Sequence, residues 1–314
     1  MDWGPEMRVL VLGATGMLGH KLVQFIGAEF ETVAAIRNPG SFPEAIGAAG
    51  VVPGVEASDP KSLVRVLDRV QPDAVLNAVG VVKQVMHGAE RSHAIAVNAL
   101  FPNRLAEVCA ARGIRLVHYS TDCVFSGGRD SRRGPHGYRE ADPADARDLY
   151  GLGKLLGEPE AGFHLVLRTS IVGRDLRGRV GLVEWFLSQA QARTATPVHG
   201  FTNALFTGLT TLELARLTLR ILAEHRALSG LWHVAGPPIS KHDLLALVKQ
   251  TYGLSVAIVP DDSFHCDRRL DGSRFSQATQ WRSPDWPTLI SQMRLDAFPY
   301  DRAGASFDAA LPGG

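Results

Sequence analysis

A glycine-rich turn between an apolar run and an amphipathic segment constrains this chain more than any other feature. The run at 8–12 is apolar after its first residue, which is typical of a strand buried on both faces of a parallel sheet. Three glycines spaced three residues apart follow it, and a helical pattern begins at about residue 21. Glycine permits a tight turn close to a phosphate, and the N–H groups that open a helix attract anions. The turn therefore predicts a pyrophosphate site, with a purely structural turn as the alternative. The residues assigned to the site are Gly13, Thr15, Gly16, Met17, Leu18 and Gly19.

Strand and helix patterns alternate through the first half of the chain, and such alternation with short linkers implies right-handed crossovers. Further strands are predicted at 32–36, 51–52, 73–77, 114–119, 163–168 and 231–234, and helices at 60–70, 98–112, 149–158, 209–225 and 241–251. The expected fold is α/β, a Rossmann-like doubly wound parallel sheet with a smaller C-terminal substrate lobe. A length of 314 residues suggests about two domains. We predict a dinucleotide-binding domain at 1–170 and a mainly substrate-binding lobe at 171–314, with 198–225 packing back on the first domain.

Charge and composition exclude several classes of protein. Lys and Arg total 33 against 32 for Asp and Glu, a balance that argues against a surface for nucleic acid. No run of about 20 apolar residues predicts a membrane helix, and the acidic first six residues do not resemble a secretion signal. The three cysteines are far apart, which favours reduced thiols and a cytoplasmic location. The histidines form no HxxxH or HExxH pattern, so no metal site is predicted.

The end of the second strand bears on the choice of cofactor. An acidic residue there would bind the ribose 2′-hydroxyl of NAD, but this chain has Arg37. A guanidinium can hold a 2′-phosphate, so the sequence favours NADP(H), with NAD(H) as the alternative. Arg37 could also be a solvated strand end. We assign Glu56 and Ala57, which follow the short strand at 51–52, to the adenine.

Tyr150 and Lys154 have the YxxxK spacing, which places both side chains on one face of a helix. A nearby ammonium favours the phenolate, so we expect Lys154 to lower the pKa of Tyr150. The pair suits acid–base work on an alcohol or ketone. Thr121 follows the strand at 114–119 and could bond a substrate oxygen, with Ser120 as the competing candidate. The alternative for Tyr150 and Lys154 is an ordinary surface pair on a helix. The alternative for Ser120 and Thr121 is that they cap the following turn.

Four segments together point to a known family. They are the glycine turn at 13–19, HYSTDCVFSG at 118–127, YGLGKLLGE at 150–158 and RTS at 168–170. In this order they resemble the extended short-chain dehydrogenase/reductases, in the dTDP-4-dehydrorhamnose reductase-like branch. The resemblance extends over about residues 7–175.

The resemblance implies reduction of the 4-keto group of a nucleotide-diphosphate deoxysugar. In that reaction Tyr150 protonates the developing alkoxide, Lys154 tunes Tyr150 and binds the nicotinamide ribose, and Thr121 bonds the carbonyl oxygen. Further cofactor contacts are assigned to Ala78, Val79, Gly80 and Tyr119, and substrate contacts to Asp122, Ser170, Ile171, Arg268 and Arg269. The two arginines are candidates for the diphosphate, because a guanidinium fork fits phosphate. A homodimer is a further expectation.

The chain also departs from the family pattern. Cys123 stands where an aromatic residue is common, and Asp122 lacks the second acid that sugar 4,6-dehydratases use. The segments 199–207 and 266–271 depart from the family's substrate-lobe motifs, the second by lacking an Arg-Pro lead, so the sugar and nucleotide stay open. Two alternatives to a reductase remain: a sugar-nucleotide epimerase that retains NAD, and a non-catalytic cofactor-binding subunit like the regulatory β subunit of methionine adenosyltransferase.

Overall fold

The computed structural model describes residues 7–37, 44–57, 59–82, 91–128, 136–160, 163–176, 181–191 and 197–300. The first six residues, which bear on the prediction about a secretion signal, lie outside this set. The strands are β1 (Arg8–Leu12), β2 (Glu31–Ala35), β3 (Gly50–Val52), β4 (Ala74–Asn77), β5 (Arg115–Thr121), β6 (Leu165–Thr169), β7 (Ile171–Val172), β8 (Val198–Phe206), β9 (Leu209–Thr210), β10 (Gly230–His233), β11 (Ile239–Ser240) and β12 (Ile258–Asp267). The α-helices are α1 (Gly19–Ile26), α2 (Pro60–Val70), α3 (Arg91–Ile95), α4 (Phe101–Ala111), α5 (Leu149–Leu156), α6 (Leu182–Gln191), α7 (Thr211–Glu224), α8 (Lys241–Tyr252), α9 (Ser273–Thr279) and α10 (Trp286–Arg294).

Seven parallel strands form the main sheet in the order β3-β2-β1-β4-β5-β6-β10. The chain moves outward in one direction from β1 to β3 and then returns to β4 on the other side of β1. In open sheets of this kind, ligands bind beyond the carboxyl ends of the strands at that reversal. The predicted Rossmann-like fold is confirmed, and its crevice lies where β1 and β4 end.

Alternate residues of β1 belong to two apolar layers, because successive side chains in a strand point to opposite faces. Val9 and Val11 pack in a cluster with residues of α1, α7 and α10. Leu10 and Leu12 pack on the other face, with residues of α2 and α4. All four side chains are fully buried. The run at 8–12 is continuously apolar after its first residue because helices cover both faces of the sheet.

A smaller sheet of order β11-β8-β12 lies in the C-terminal part of the chain. β11 pairs antiparallel with β8, and β12 pairs parallel with β8 with a break in register between Asp261 and His265. Two elements beyond residue 170 belong with the N-terminal part of the chain instead: β10 pairs with β6 in the main sheet, and α7 contacts α1. The division at residue 170 stays a prediction.

A short segment at 296–300, which we call the strap, lies against the start of α1. The Lys21 ammonium is fully buried and lies 2.6 Å from Asp296 Oδ2. The His20 ring lies between two contacts, with Nδ1 2.9 Å from the Gly16 carbonyl oxygen and Nε2 3.2 Å from the Tyr300 hydroxyl. The strap therefore contacts the helix that follows the glycine turn. Within the described ranges, no helix combines the length and apolarity needed to cross a membrane.

Candidate active site

The glycine turn packs tightly against the segment that follows β4. Gly13 has a φ of +78°, and a Cβ there would lie 2.9 Å from the carbonyl carbon of Ala78. A Cβ on Gly19 would lie 2.0 Å from the Gly13 carbonyl oxygen. Larger residues would push α1 away from β1 or the turn away from Ala78, so these glycines are required by close packing.

The open side of the turn presents unpaired backbone donors. The N–H groups of Met17 and Leu18 have no acceptor among the described residues, and α1 has no side-chain cap at Leu18. Buried or crevice-lining N–H groups at the start of a helix form an anion site when no protein group satisfies them. The arrangement fits the pyrophosphate of a dinucleotide.

The residues predicted for the adenosine end lie near the ends of β2 and β3. Arg37 is exposed and follows β2 directly. The backbone of Glu56 exchanges two hydrogen bonds with the Ser62 hydroxyl, at 3.1 and 2.9 Å, and Ala57 packs partly buried beside the second apolar layer. The contacts predicted for Arg37 with a 2′-phosphate, and for Glu56 and Ala57 with the adenine, stay predictions.

Tyr150 and Thr121 come together because α5 approaches the turn after β5 very closely. A Cβ on Gly151 would lie 2.3 Å from the Cys123 carbonyl oxygen, so only glycine permits this approach. Burial raises the pKa of Tyr150 above its ordinary value, and a hydrogen bond with Thr121 opposes that rise. Thr121 Oγ1 also accepts from the Cys123 N–H at 3.1 Å. The phenol and the hydroxyl can therefore share one substrate oxygen.

Lys154 does not have the electrostatic effect that the YxxxK spacing predicted. Its ammonium donates to the Tyr119 carbonyl oxygen at 2.6 Å, and burial lowers its own pKa to about 8. The pKa of Tyr150 is raised by burial rather than lowered by Lys154. The Tyr119 ring is buried and its hydroxyl lies 3.0 Å from Thr218 Oγ1 on α7, so the cofactor contact predicted for Tyr119, which stays a prediction, would have to come from its backbone. Only the backbone of Tyr119 faces Lys154.

The structure separates Ser120 from Thr121. The Ser120 hydroxyl donates to Glu158 at 2.5 Å, and Glu158 accepts two further hydrogen bonds from Arg168, at 2.8 and 2.7 Å. The Ser120 hydroxyl is therefore bonded to the nearly buried ion pair of Glu158 and Arg168, whereas Thr121 lies beside the Tyr150 phenol. Gly157, just before Glu158, lies so near Asn98 that its Cβ would be 1.9 Å from that residue's carbonyl oxygen.

Sequence reasoning missed two asparagines that shape the segment after β4. Asn98, in a π-helical turn at Ala96–Leu100, accepts from the Val81 N–H and donates to the Val81 carbonyl, both at 2.8 Å. Asn77 accepts from the Val79 N–H at 3.2 Å. The available signal was a buried amide inside an apolar helical pattern, since such a group must be paired. Both residues position the predicted cofactor contacts Ala78, Val79 and Gly80.

The two predicted substrate arginines have different surroundings. Arg268 lies at the turn after β5, where its guanidinium donates to the Phe125 carbonyl at 2.8 Å and to Cys123 Sγ at 3.3 Å. Arg269 instead forms a salt bridge with Asp267 at 2.9 Å. Asp122 is buried and accepts from Thr121 Oγ1 at 3.2 Å.

Ser170 and Ile171 follow β6 and are partly buried. The Ser170 carbonyl accepts from the Leu209 N–H at 2.9 Å, and Ile171 pairs with Leu209 in the two-stranded sheet of β7 and β9. Both residues thus pair with β9 through their backbone, and the substrate contacts predicted for them stay predictions. No three His, Cys, Asp or Glu side chains are grouped as metal ligands in the part of the chain that the structure describes.

Comparison with known proteins adds a family and several relatives. The family model of the RmlD substrate-binding domain matches residues 7–277. A probable low-salt glycan biosynthesis reductase of Haloferax volcanii is 32% identical over 242 residues, covering 73% of this chain and 74% of that protein. A dTDP-4-keto-6-deoxy-D-glucose reductase of Streptomyces niveus is 32% identical over 248 residues, covering 68% and 78%. The crystal structure of dTDP-4-dehydrorhamnose reductase from Bacillus anthracis with NADP superposes with a TM-score of 0.75 at 18% identity, covering 93% of this chain and 100% of that one.

Proposed function

We propose, because this chain belongs to the family of the RmlD substrate-binding domain, that it reduces the 4-keto group of a nucleotide-diphosphate deoxysugar with NADPH. The names of two relatives at 32% identity, both reductases and one of them acting on a dTDP-linked 4-keto-6-deoxy sugar, support this reaction. The resemblance noted in the sequence leads to the same activity.

The observation that supports the proposal is the close approach of α5 to the turn after β5, which brings Tyr150 next to Thr121 at the carboxyl end of β5. In a reduction, the carbonyl oxygen gains negative charge and must receive a proton. A tyrosine, with an ordinary pKa of about 10, is protonated at neutral pH, and burial raises the pKa of Tyr150 further, so it can donate that proton as a general acid. The Thr121 hydroxyl, whose single proton is donated to Asp122 at 3.2 Å, can turn that proton to the same oxygen and so stabilise the developing charge.

The chain's own groups also fit the cofactor. When bound, NADPH supplies the hydride for the carbonyl carbon. The N–H groups of Met17 and Leu18 hold the pyrophosphate, and Arg37 pairs with the 2′-phosphate that distinguishes NADPH from NADH. Lys154, fixed by the Tyr119 carbonyl at 2.6 Å, has two further protons with which to bind the nicotinamide ribose.

The test is an assay with purified protein, NADPH and dTDP-4-keto-6-deoxy sugars, following both the loss of NADPH and the product by mass spectrometry. A reductase consumes one NADPH for each hydroxyl formed. An epimerase would interconvert sugars without added cofactor, and a regulatory subunit would bind the dinucleotide and turn over nothing. Either result would refute the proposal. The homodimer and the cytoplasmic location stay predictions.

A further inference from the structure

A cavity of about 240 Å³ lies between the strap and the ends of α8 and α10. Tyr252, the last residue of α8, and Arg294, the last residue of α10, both line it. Arg174, which forms a salt bridge with Glu184 of α6, lines it as well. None of the lining residues is assigned to the cofactor or to the substrate, so the proposed function does not explain this cavity.

Two guanidiniums border the cavity, and both have N–H groups that no acceptor satisfies. Arg174 binds the Glu184 carboxylate through Nε, and its two terminal nitrogens have no acceptor among the described residues. The Arg294 guanidinium lies 5.4 Å from the centre of the Tyr252 ring, and it forms no hydrogen bond or ion pair within the described ranges. Because each guanidinium carries five N–H donors, the cavity has more charged donors than acceptors.

The Tyr252 hydroxyl is another group without a partner. Its oxygen is buried and makes no hydrogen bond with the described part of the chain. Burial raises the pKa of Tyr252, and the charges of Arg174 and Arg294 oppose that rise, so both guanidiniums act on this one phenol. Removing a hydroxyl from water without a hydrogen bond is unfavourable. An acceptor bound by the two arginines lies within reach of the same hydroxyl.

The acidic side chains around the cavity already have cationic partners. Asp296 lies 2.6 Å from the buried Lys21 ammonium, and Glu184 is bound to Arg174. Arg294 remains as a cation without a counterion among the residues that the structure describes. An anionic ligand would therefore balance the charge of this region.

Aromatic rings form the apolar side of the cavity. The centres of the Phe298 and Tyr300 rings lie 4.8 Å apart, and the Arg174 guanidinium lies 4.5 Å from the centre of the Tyr300 ring. Met293 and Pro299 add further apolar surface. Ligand pockets typically combine such apolar walls with a few polar groups that fix orientation. Rings beside guanidiniums suit a planar body that carries an acid group.

We infer that this cavity is a binding site for a small organic anion, whose acid group, a carboxylate or a phosphate, is carried on a planar apolar body. The acid group pairs with Arg174 and Arg294 and accepts a hydrogen bond from the Tyr252 hydroxyl. The body packs against the rings of Phe298 and Tyr300. The site goes beyond the proposed function and does not depend on it, because it shares no residue with the cofactor or the acid–base pair.

The experiment measures binding of benzoate and phenyl phosphate to the NADP⁺-saturated protein by calorimetry. Benzamide serves as the neutral match for benzoate, and inorganic phosphate as an acid group without a body. Both aromatic acids should bind saturably, and each match should bind at least about 10-fold more weakly, because it lacks either the charge or the ring. No saturable binding of either aromatic acid at about 10 mM, or equal affinity for an acid and its match, would overturn the site.

Three variants test the residues assigned to the acid group. Arg294→Met should weaken binding of the aromatic acids by roughly 10- to 100-fold, because a charge-assisted contact is lost. Arg69→Met is the matched control and should bind as wild type does, since Arg69 is also an exposed arginine in the last turn of a helix that an aspartate caps. Tyr252→Phe should weaken binding by roughly 3- to 10-fold.

Two further readouts separate a binding site from a structural role and from binding elsewhere on the protein. The melting temperature of Tyr252→Phe without ligand should equal or exceed that of wild type, because the hydroxyl that is removed has no partner. In crystals soaked with 4-bromobenzoate, the anomalous signal of bromine should lie between the strap and α8. Unchanged affinity in Arg294→Met, or bromine found only outside this cavity, would refute the inference.

Discussion

Replacing Glu158 by alanine should destabilise this protein far more than the loss of a surface charge. Glu158 accepts two hydrogen bonds from Arg168, at 2.8 and 2.7 Å, and one from Ser120 at 2.5 Å. The Arg168 and Glu158 side chains retain only 5% and 9% of their exposed area. Without the carboxylate, Arg168 is left charged and buried beside the Phe125 ring and His233 Nε2, and breaking a buried pair in this way costs about 3–5 kcal/mol.

Urea unfolding followed by circular dichroism measures this loss, with Glu224→Ala as the matched control. Glu224 forms an ion pair with Arg220 at 2.8 Å, but both side chains are more than one-third exposed. An exposed pair of this spacing contributes about 0.3–0.5 kcal/mol. A loss of about 4 kcal/mol corresponds to a fall in Tm of roughly 6 °C, given an unfolding entropy of about 2.1 cal/mol/K per residue.

The double variant Glu158→Ala with Arg168→Met tests the cause of the loss. Removing both charges should recover most of the free energy of unfolding, because the destabilisation comes from the uncompensated guanidinium rather than from the lost contact. If Glu158→Ala unfolded at the same urea concentration as Glu224→Ala, or if the double variant were no more stable than the single one, the electrostatic reasoning would be wrong.

Three further predictions concern the reaction. Tyr150→Phe should lower kcat by about 10²–10⁴ while the Kd for NADPH stays unchanged, because a general acid is lost; a near-normal kcat with chemistry rate-limiting would exclude the acid role. Arg37→Ala should weaken NADPH binding much more than NADH binding, as titration of both cofactors would show, and equal losses would contradict a 2′-phosphate contact. NADPH affinity should fall as the pH rises through about 8, where Lys154 loses the proton that burial has made easier to remove, and Lys154→Arg should move that fall to higher pH.

The sequence predicted the elements of the main sheet well because their patterns are strong. The apolar period of α2 and its opening Asp59, which accepts from the Lys61 N–H at 2.9 Å, set both ends of that helix at the predicted residues. The helix predicted from residue 98 instead follows α3 and a π-helical turn. Spacing alone does not show where the i→i+4 register changes to i→i+5.

The sequence was weak in the C-terminal lobe. β8 and β12 were not predicted, because both are partly exposed and β12 contains the polar stretch Asp261–Ser263 and a break in register. Such a strand shows neither regular alternation nor a continuous apolar run. The boundaries of both strands therefore depend on tertiary pairing.

The site was predictable only where local spacing determines it. The motif placed Tyr150 on a helix, but its closeness to Thr121 depends on the contact between Gly151 and the Cys123 carbonyl. The lowered pKa expected for Tyr150 was wrong because burial, which no spacing reveals, has the larger effect.

The strap determines when, during synthesis, the helix after the glycine turn can make all of its contacts. His20 and Tyr300 meet across 280 positions of the chain, so the helix after the glycine turn gains these partners only after residue 300 has been synthesised. A chain stopped before Asp296 would contain every acid, base and cofactor group described above. It would also leave the Lys21 ammonium without its counterion and without the Phe298 and Tyr300 rings that cover it, and a nascent chain in that state should resist proteases less well around its first crossover than a chain that includes the strap.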